Sequence, residues 1–304
     1  MITKPNEMTF ADKKFTMIIA GLPGIGKTTL ALSAPKPLLI DMDGGVSRVS
    51  AKYRTDCIMA ESYEALMSDL RESDLSAYES IVVDTGGKLL EAMKPSVIAE
   101  APKNGKSDGS LSLQGYGAVK RKFSGFMSYL HSLNKNVIVV FHASEVALSD
   151  DITGLRIRIE GSSRDEVWDD ADIGGFMEMR GKRRVIGFSN CERYYAKGTH
   201  GIHGEYEVPD LGEGGGNTFI ADLFKKMKAD LKAETEEASR YRDTMSAILP
   251  TIENAKDADG LNKAIEEVKN SITVLTSKAE LKAALTAKAK ALGLAFDKAK
   301  GLYA

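Results

Sequence analysis

Short apolar, β-branched runs alternate along this chain with stretches whose apolar positions recur at helical spacing, the pattern of a mostly parallel sheet covered by helices. Phe15 to Ala20 (FTMIIA) predicts a buried first strand, Pro37 to Asp41 (PLLID) a second, Ser80 to Asp84 (SIVVD) a third and Asn136 to Phe141 (NVIVVF) a fourth. Within Glu61 to Glu72, Tyr63, Leu66, Met67 and Leu70 mark a helix. Pro102 to Gly115, rich in Gly, Lys and Ser, interrupts the pattern before a helix predicted over Tyr116 to Leu133. Ala147 to Asp165 is mixed in charge and reads as a loop or irregular hairpin. Strands then follow strands, Gly175 to Met179 and Arg183 to Phe188 around Gly181-Lys182, with Arg193 to Ala196 a candidate third, so an antiparallel extension of the sheet is expected.

The pattern changes after Gly212 to Asn217 (GEGGGN), read as a flexible connector. From Ala229 onward Ala, Lys, Glu and Leu dominate, with Leu261, Ile265, Val268 and Ile272 at helical intervals and Pro250 and Gly260 as breaks. Two to four helices are expected, and Ser277 with Glu280 three residues later reads as a capping box. The expected division is an α/β core over residues 1–224 and a helical C-terminal region over 225–304.

The junction of the first strand and the following helix carries the most specific chemistry, GLPGIGKTT. Gly21, Gly26, Lys27 and Thr28 fill the fixed positions of the phosphate-loop pattern G-x-x-x-x-G-K-[ST]. Glycines let the backbone fold around a phosphate, Lys27 reaches the terminal phosphates and the Thr28 hydroxyl is a ligand for Mg²⁺. The nucleotide-binding residues are therefore Gly21, Leu22, Pro23, Gly24, Ile25, Gly26, Lys27, Thr28 and Thr29, and the implied cofactors are ATP and Mg²⁺.

Hydrolysis also needs a carboxylate in the metal shell and a group that positions water. Asp84 ends an apolar run at the carboxyl end of a strand, where the nucleotide crevice of an open α/β sheet lies, and supplies the first. Asp41 and Asp43 end the second strand in LLIDMDGG, and alternation along an extended backbone aims both at one side. Asp43 is the candidate general base, a turn or helix-cap role being the alternative. His142 follows NVIVVF directly and is placed to sense a terminal phosphate. His200 and His203 have ligand-like spacing, but no second well-spaced pair accompanies them.

Composition restricts the reading only loosely. The 304 residues, 43% hydrophobic with 28 glycines, suffice for a sizeable core and an appendage. A net charge of -2 leaves any nucleic-acid contact to local basic patches. Two cysteines, Cys57 and Cys191, argue against a disulfide framework. Apolar runs no longer than a strand and a polar start give no sign of a membrane span or signal peptide, so a cytoplasmic protein is expected.

Taken in order, GLPGIGKTT, LLIDMDGG, SIVVDTGG and VIVVFHASE resemble the ATPase core of RecA-type recombinases, and more closely the phage-encoded Sak-type single-strand annealing ATPases. The likeness covers Phe15 to Leu223. It implies a RecA-like P-loop core, a mostly parallel sheet with an antiparallel extension followed by C-terminal helices, and the cytoplasm of a bacterial host. In such cores a glutamate after the second strand is the catalytic carboxylate; Asp43, one methylene shorter, takes that position. Asp84 and Thr85 match the Mg²⁺-shell aspartate and the hydroxyl residue after it, and His142 the polar switch residue ending the fourth strand.

The resemblance also makes Glu100 to Gly117 and Glu145 to Asp165 the DNA-facing loops. Their candidate contacts are Lys103, Lys106 and Tyr116 in the first and Arg156, Arg158 and Arg164 in the second, basic and aromatic side chains of the kind that hold a single strand. Lys197, in YYAKGTHG, matches a finger that acts across a subunit interface, although the arginine that usually strengthens it is not evident. The implied partners are single-stranded DNA, further copies of the chain in a ring or filament, and a single-strand-binding or other replication protein at the C-terminal helices. The implied function is an ATPase that promotes annealing or recombination; a nucleotide-gated scaffold and a small-molecule P-loop kinase stand as alternatives.

Overall fold

The computed structural model describes residues 8, 10, 12–148, 153–159, 167–209 and 216–304. Two compact units are distinguished, one over Lys13–Lys228 and one that groups Ala229–Ala304 with Met1–Asp12. Most of the connector expected at Gly212 to Asn217 lies outside the described residues.

The first unit is organised by one sheet whose order is β3(Cys57–Ile58), β2(Pro37–Asp41), β4(Ser80–Asp84), β5(Asn136–Ala147), β1(Thr16–Gly21), β7(Ile173–Arg180), β8(Arg183–Gly187) and β9(Glu205–Val208). The first six are mutually parallel, and β8 and β9 continue antiparallel. β6(Thr153–Ile157) pairs only with the distal half of β5. All six residues of β1 and all five of β4 are buried, as strands in the middle of a two-sided parallel sheet must be, so Met17–Ala20 and Ile81–Val83 read as unbroken apolar runs. Met17, Ile19, Leu39 and Val82 are wholly buried, each contributing about 1.5–3 kcal/mol relative to an exposed side chain.

α1(Lys27–Ala31), α2(Tyr63–Glu72), α3(Gly86–Glu100) and α4(Leu113–Ser132) connect the parallel strands. α4 starts three residues before the expected Tyr116 because Ser112 caps it, accepting a hydrogen bond from the Gly115 N–H. The stretch before it is ordered by its own bonds: the Asn104 amide donates to the Val97 carbonyl, and the Ser112 N–H to the Asn104 carbonyl.

Two further expectations are corrected. Arg193 to Ala196 is not a strand: the Ala196 N–H donates to the Asn190 side chain and the Arg193 carbonyl accepts from the Leu155 N–H, so its polar groups are taken by loops. The third antiparallel strand is β9. His142 does not end its strand either. It is the last β5 residue beside β1, and five more residues continue with β6 outside the main sheet.

α5(Phe219–Asn254) begins in the first unit and ends in the second, which also holds α6(Ala258–Asn270), α7(Ser277–Leu292) and a hairpin of β10(Phe296–Asp297) and β11(Leu302–Tyr303). Ile252, Leu261, Ile265, Val268, Leu281 and Leu285 form its core. Pro250 lies inside α5, and Gly260 in the first turn of α6, where Asp257 caps its N–H; neither breaks a helix. α6 stops at Asn270, leaving Ile272 80% exposed. The expected capping box does not form: Thr276, not Ser277, takes the N-cap position of the last helix without a side-chain cap bond, its hydroxyl donating to Glu280 instead, while Ser277 turns back to accept the Val274 N–H.

Candidate active site

β1 delivers the chain to Gly21, and Leu22 to Gly26 turn it into α1. Gly24 and Gly26 have φ of 79° and 94°, left-handed values that a side chain strains, which explains two of the loop glycines. Lys27 opens α1 with its amine buried against its own loop, donating to the Leu22 carbonyl at 2.9 Å. Burial lowers its pKa from 10.5 to about 8, against the opposing pull of Asp84 and Asp43.

β4 brings Asp84 to the same place. The Thr28 hydroxyl donates to Asp84 Oδ2 at 2.6 Å, joining two groups 56 positions apart. Burial raises the Asp84 carboxyl above its usual range, and Asp41 and Asp43 push in the same direction, while the Thr28 hydrogen bond and Lys27 oppose them. The Asp84–Thr85 peptide is cis, and Thr85 caps α3 by accepting the Lys88 N–H.

The two aspartates at the end of β2 divide their work. Buried Asp41 accepts the N–H groups of Asp43, Gly45 and Val46 at 3.1, 2.9 and 2.8 Å, and so fixes the turn. Asp43 Oδ2 instead meets Arg48 Nη2 at 2.8 Å and faces His142 Nε2 at 3.7 Å, beyond hydrogen-bond length. The His142 Nδ1 is buried without a hydrogen-bond partner among the described residues. Burial and the Lys27 charge hold its imidazole below the ordinary 6.5, against the opposing pull of Asp43.

A cleft of ≈ 600 Å³ opens beside these groups, lined by Pro23, Asp43 and His142 and, further along, by Lys88, Tyr116 and Arg158. Two of the six candidate DNA contacts thus share a cavity with the candidate base. Arg158 is tied to the site through the backbone, its N–H donating to the His142 carbonyl at 2.7 Å. Lys103 and Lys106 are exposed before α4 and are not among the cleft's lining residues; Arg156 donates to the Leu155 and Arg193 carbonyls; Arg164 lies outside the described residues. Lys197 is bridged to Gly174 through the backbone, and its amine donates to the Trp168 carbonyl at 3.4 Å.

The model of a family described as the AAA domain matches residues 13–200, 188 of the 304. The chain belongs to this family. An AAA-type P-loop ATPase domain accounts for the glycine loop, the lysine and the Thr28–Asp84 pair found together at the carboxyl end of the sheet. No curated protein matches the chain. Among solved structures it is similar to the assembled ATPase EscN from the enteropathogenic E. coli type III secretion system, at 13% identity and a TM-score of 0.33 over 90% of this chain and 67% of that one.

The residues of this AAA domain fit a magnesium nucleotide. Thr28 and Asp84 are oxygen donors of the type Mg²⁺ takes, and the charges of Asp41 and Asp43 disfavour the ionised form of Asp84, a cost that a cation would relieve. Beyond the sequence reading, the structure adds Arg48 at Asp43, Lys88 in the cleft, and Arg184, whose Nε lies 3.8 Å from where a Cβ on Gly26 would be. Arg48 carried a faint sequence signal, five residues after Asp43 in a glycine-rich turn; Arg184, on β8, carried none. No helix among the described residues is long and apolar enough to cross a membrane.

Proposed function

We propose that the protein is a Mg²⁺-dependent ATPase that binds single-stranded DNA and promotes annealing or recombination in phage DNA metabolism, working as an oligomer in a bacterial cytoplasm. The observation that carries the DNA reading is the shared cleft, in which Tyr116 and Arg158 line the same space as Asp43 and His142. An aromatic face and a guanidinium suit a base and a phosphate of one strand. Gly21 to Thr29 hold the nucleotide phosphates, Thr28 and Asp84 the metal, which supplies charge neutralisation at the phosphates. Asp43 accepts a proton from the attacking water, and His142, through its carbonyl on the Arg158 N–H, links the nucleotide to the cleft. Hydrolysis then releases the strand-bound state, so that ATP acts as an assembly switch.

The test is ATP turnover with and without single-stranded oligonucleotide in wild type, Lys27→Ala and Asp43→Ala. Stimulation by DNA is expected in wild type, with loss in both variants; ATP binding without DNA affinity or DNA-stimulated turnover refutes the DNA role, and unchanged turnover in Asp43→Ala refutes the choice of base. A second reading, a small-molecule kinase, is favoured by the ligand-sized volume of the cleft. Phosphate transfer to a small acceptor in place of water supports it. In a third, the nucleotide-gated scaffold, the helices of 225–304 recruit a replication protein and turnover is negligible.

A further inference from the structure

Arg48 closes the short 3₁₀ turn Gly45–Arg48, whose start is pinned by the Asp41 carboxylate through backbone N–H groups. The turn brings the guanidinium back to the strand ends. Its Nη2 lies 2.8 Å from Asp43 Oδ2, the oxygen that also faces His142. A Cβ placed on Gly45 would stand 3.1 Å from Arg48 Nη2 and 3.4 Å from Asp84 Oδ2. The guanidinium and the Asp84 carboxylate therefore border one small space, and the same Asp84 Oδ2 accepts the Thr28 hydroxyl at 2.6 Å, which ties that space to the phosphate loop. The base of Arg48 is fixed by the turn, yet its side chain is 65% exposed, so the fork can move without disturbing the fold.

We propose that Arg48 stabilises the charge that develops on the transferring phosphate, supplied in cis by the chain that carries the phosphate loop, and that Asp43 holds it ready between turnovers. The proposal rests on the ATPase reading. Phosphoryl transfer leaves a protein little covalent chemistry to do, so fixed positive groups at the equatorial oxygens carry much of the catalysis. Lys27 offers a point charge, whereas a guanidinium binds two oxygens at once. In the hydrolytic step the water oxygen bonds to the γ-phosphorus and the bond to the β,γ-bridging oxygen breaks, its electron pair leaving with ADP. The water proton passes to Asp43 and then to solvent. As Arg48 turns to the phosphate it leaves Asp43 Oδ2, and the carboxylate paired at rest becomes the base.

The test compares wild type, Arg48→Ala and Arg48→Lys in the full chain. In Arg48→Ala, kcat is expected to fall about 100-fold or more while affinity for ADP stays within about threefold. Affinity for ADP with aluminium fluoride, which mimics the transferring group, is expected to fall with kcat. Lysine is expected to restore little of either, and added guanidinium to rescue Arg48→Ala in part. A kcat within about threefold of wild type, or equal losses of affinity for ADP and for its aluminium fluoride complex, overturns the assignment. A wild-type protein without ATP turnover overturns the ATPase reading itself, which separates the two failures.

Discussion

The unit that carries the AAA domain and the C-terminal helical unit use their polar residues in opposite ways. At the strand ends Lys27, Asp41, Asp84 and Thr85 are all buried; burial drives the Lys27 pKa down and the Asp84 pKa up, and partly buried His142 is held low as well. In the helical unit the buried residues are apolar except Ser277, and the carboxylates stay at the surface. Asp257 caps α6 through the Gly260 N–H, and Asp297 accepts the N–H groups of Ala299 and Lys300 in the terminal hairpin. One region holds groups that the interior disfavours and a ligand would relieve; the other satisfies its backbone and packs. Stability and chemistry are therefore expected to respond to different substitutions.

The largest expected effect follows from Lys27. Replacing it with Met keeps the volume and removes a desolvated amine, so turnover is expected to fall about 10³-fold or more while the thermal midpoint stays level or rises. Paired measurements of turnover and thermal unfolding decide it. A clear fall in the midpoint means that Lys27 holds the fold together, and the contrast between the units fails at its strongest point.

The converse belongs to Leu281, wholly buried in the helical core. Leu281→Ala is expected to cost about 2–5 kcal/mol locally, read as faster hydrogen exchange of α6 and α7 amides. Basal ATP turnover at 25 °C is expected to stay within about twofold. Equal losses in exchange protection and turnover would show that the helices serve the chemistry directly.

The parts legible in the sequence are those where one physical demand acts alone. β2 and β4 coincide with PLLID and SIVVD because strands buried on both faces need continuous apolar side chains. Gly21, Lys27, Thr28 and Asp84 stand out in the sequence because the phosphate-loop pattern fixes residue types at set spacings and an Asp ends an apolar strand, and the Thr28–Asp84 hydrogen bond brings the two motifs into contact. α3 has no clear signature in the sequence: it opens on Gly86-Gly87 and contains Pro95, residues that punctuate chains elsewhere but here sit under tertiary packing. Gly86 has room for nothing larger, since a Cβ there would come within 2.5 Å of Phe141. The different duties of Asp41 and Asp43 were equally hidden, because alternation assigns both to one side while the turn at Gly44 draws Asp41 onto the backbone. Arg48 and Arg184 enter the site through a turn and a neighbouring antiparallel strand, relations that no linear spacing carries.

The smallest effect expected is a pH dependence, and it sharpens the contrast because the helical unit offers no comparably buried cation. Lys27 has a pKa near 10.5 in the unfolded chain and about 8 in the fold. Between those values the unfolded state holds a proton that the native state has lost, so this group makes native stability rise with pH across the window, its burial cost being felt in full below about 8. Nucleotide binding has the opposite sign. Phosphates favour the ammonium form, so binding draws a proton onto Lys27, and ATP affinity is expected to weaken by up to about tenfold per pH unit between about 8 and 10.5. Calorimetry of ATP binding at pH 7.5 and 9 in buffers of different ionisation heat measures both the affinity and the proton taken up. Lys27→Met is expected to remove the uptake and flatten the profile. A wild-type affinity that stays level across this range means that the amine keeps its proton within the loop, held by the Leu22 carbonyl and by the Asp84 and Asp43 charges more strongly than burial opposes it.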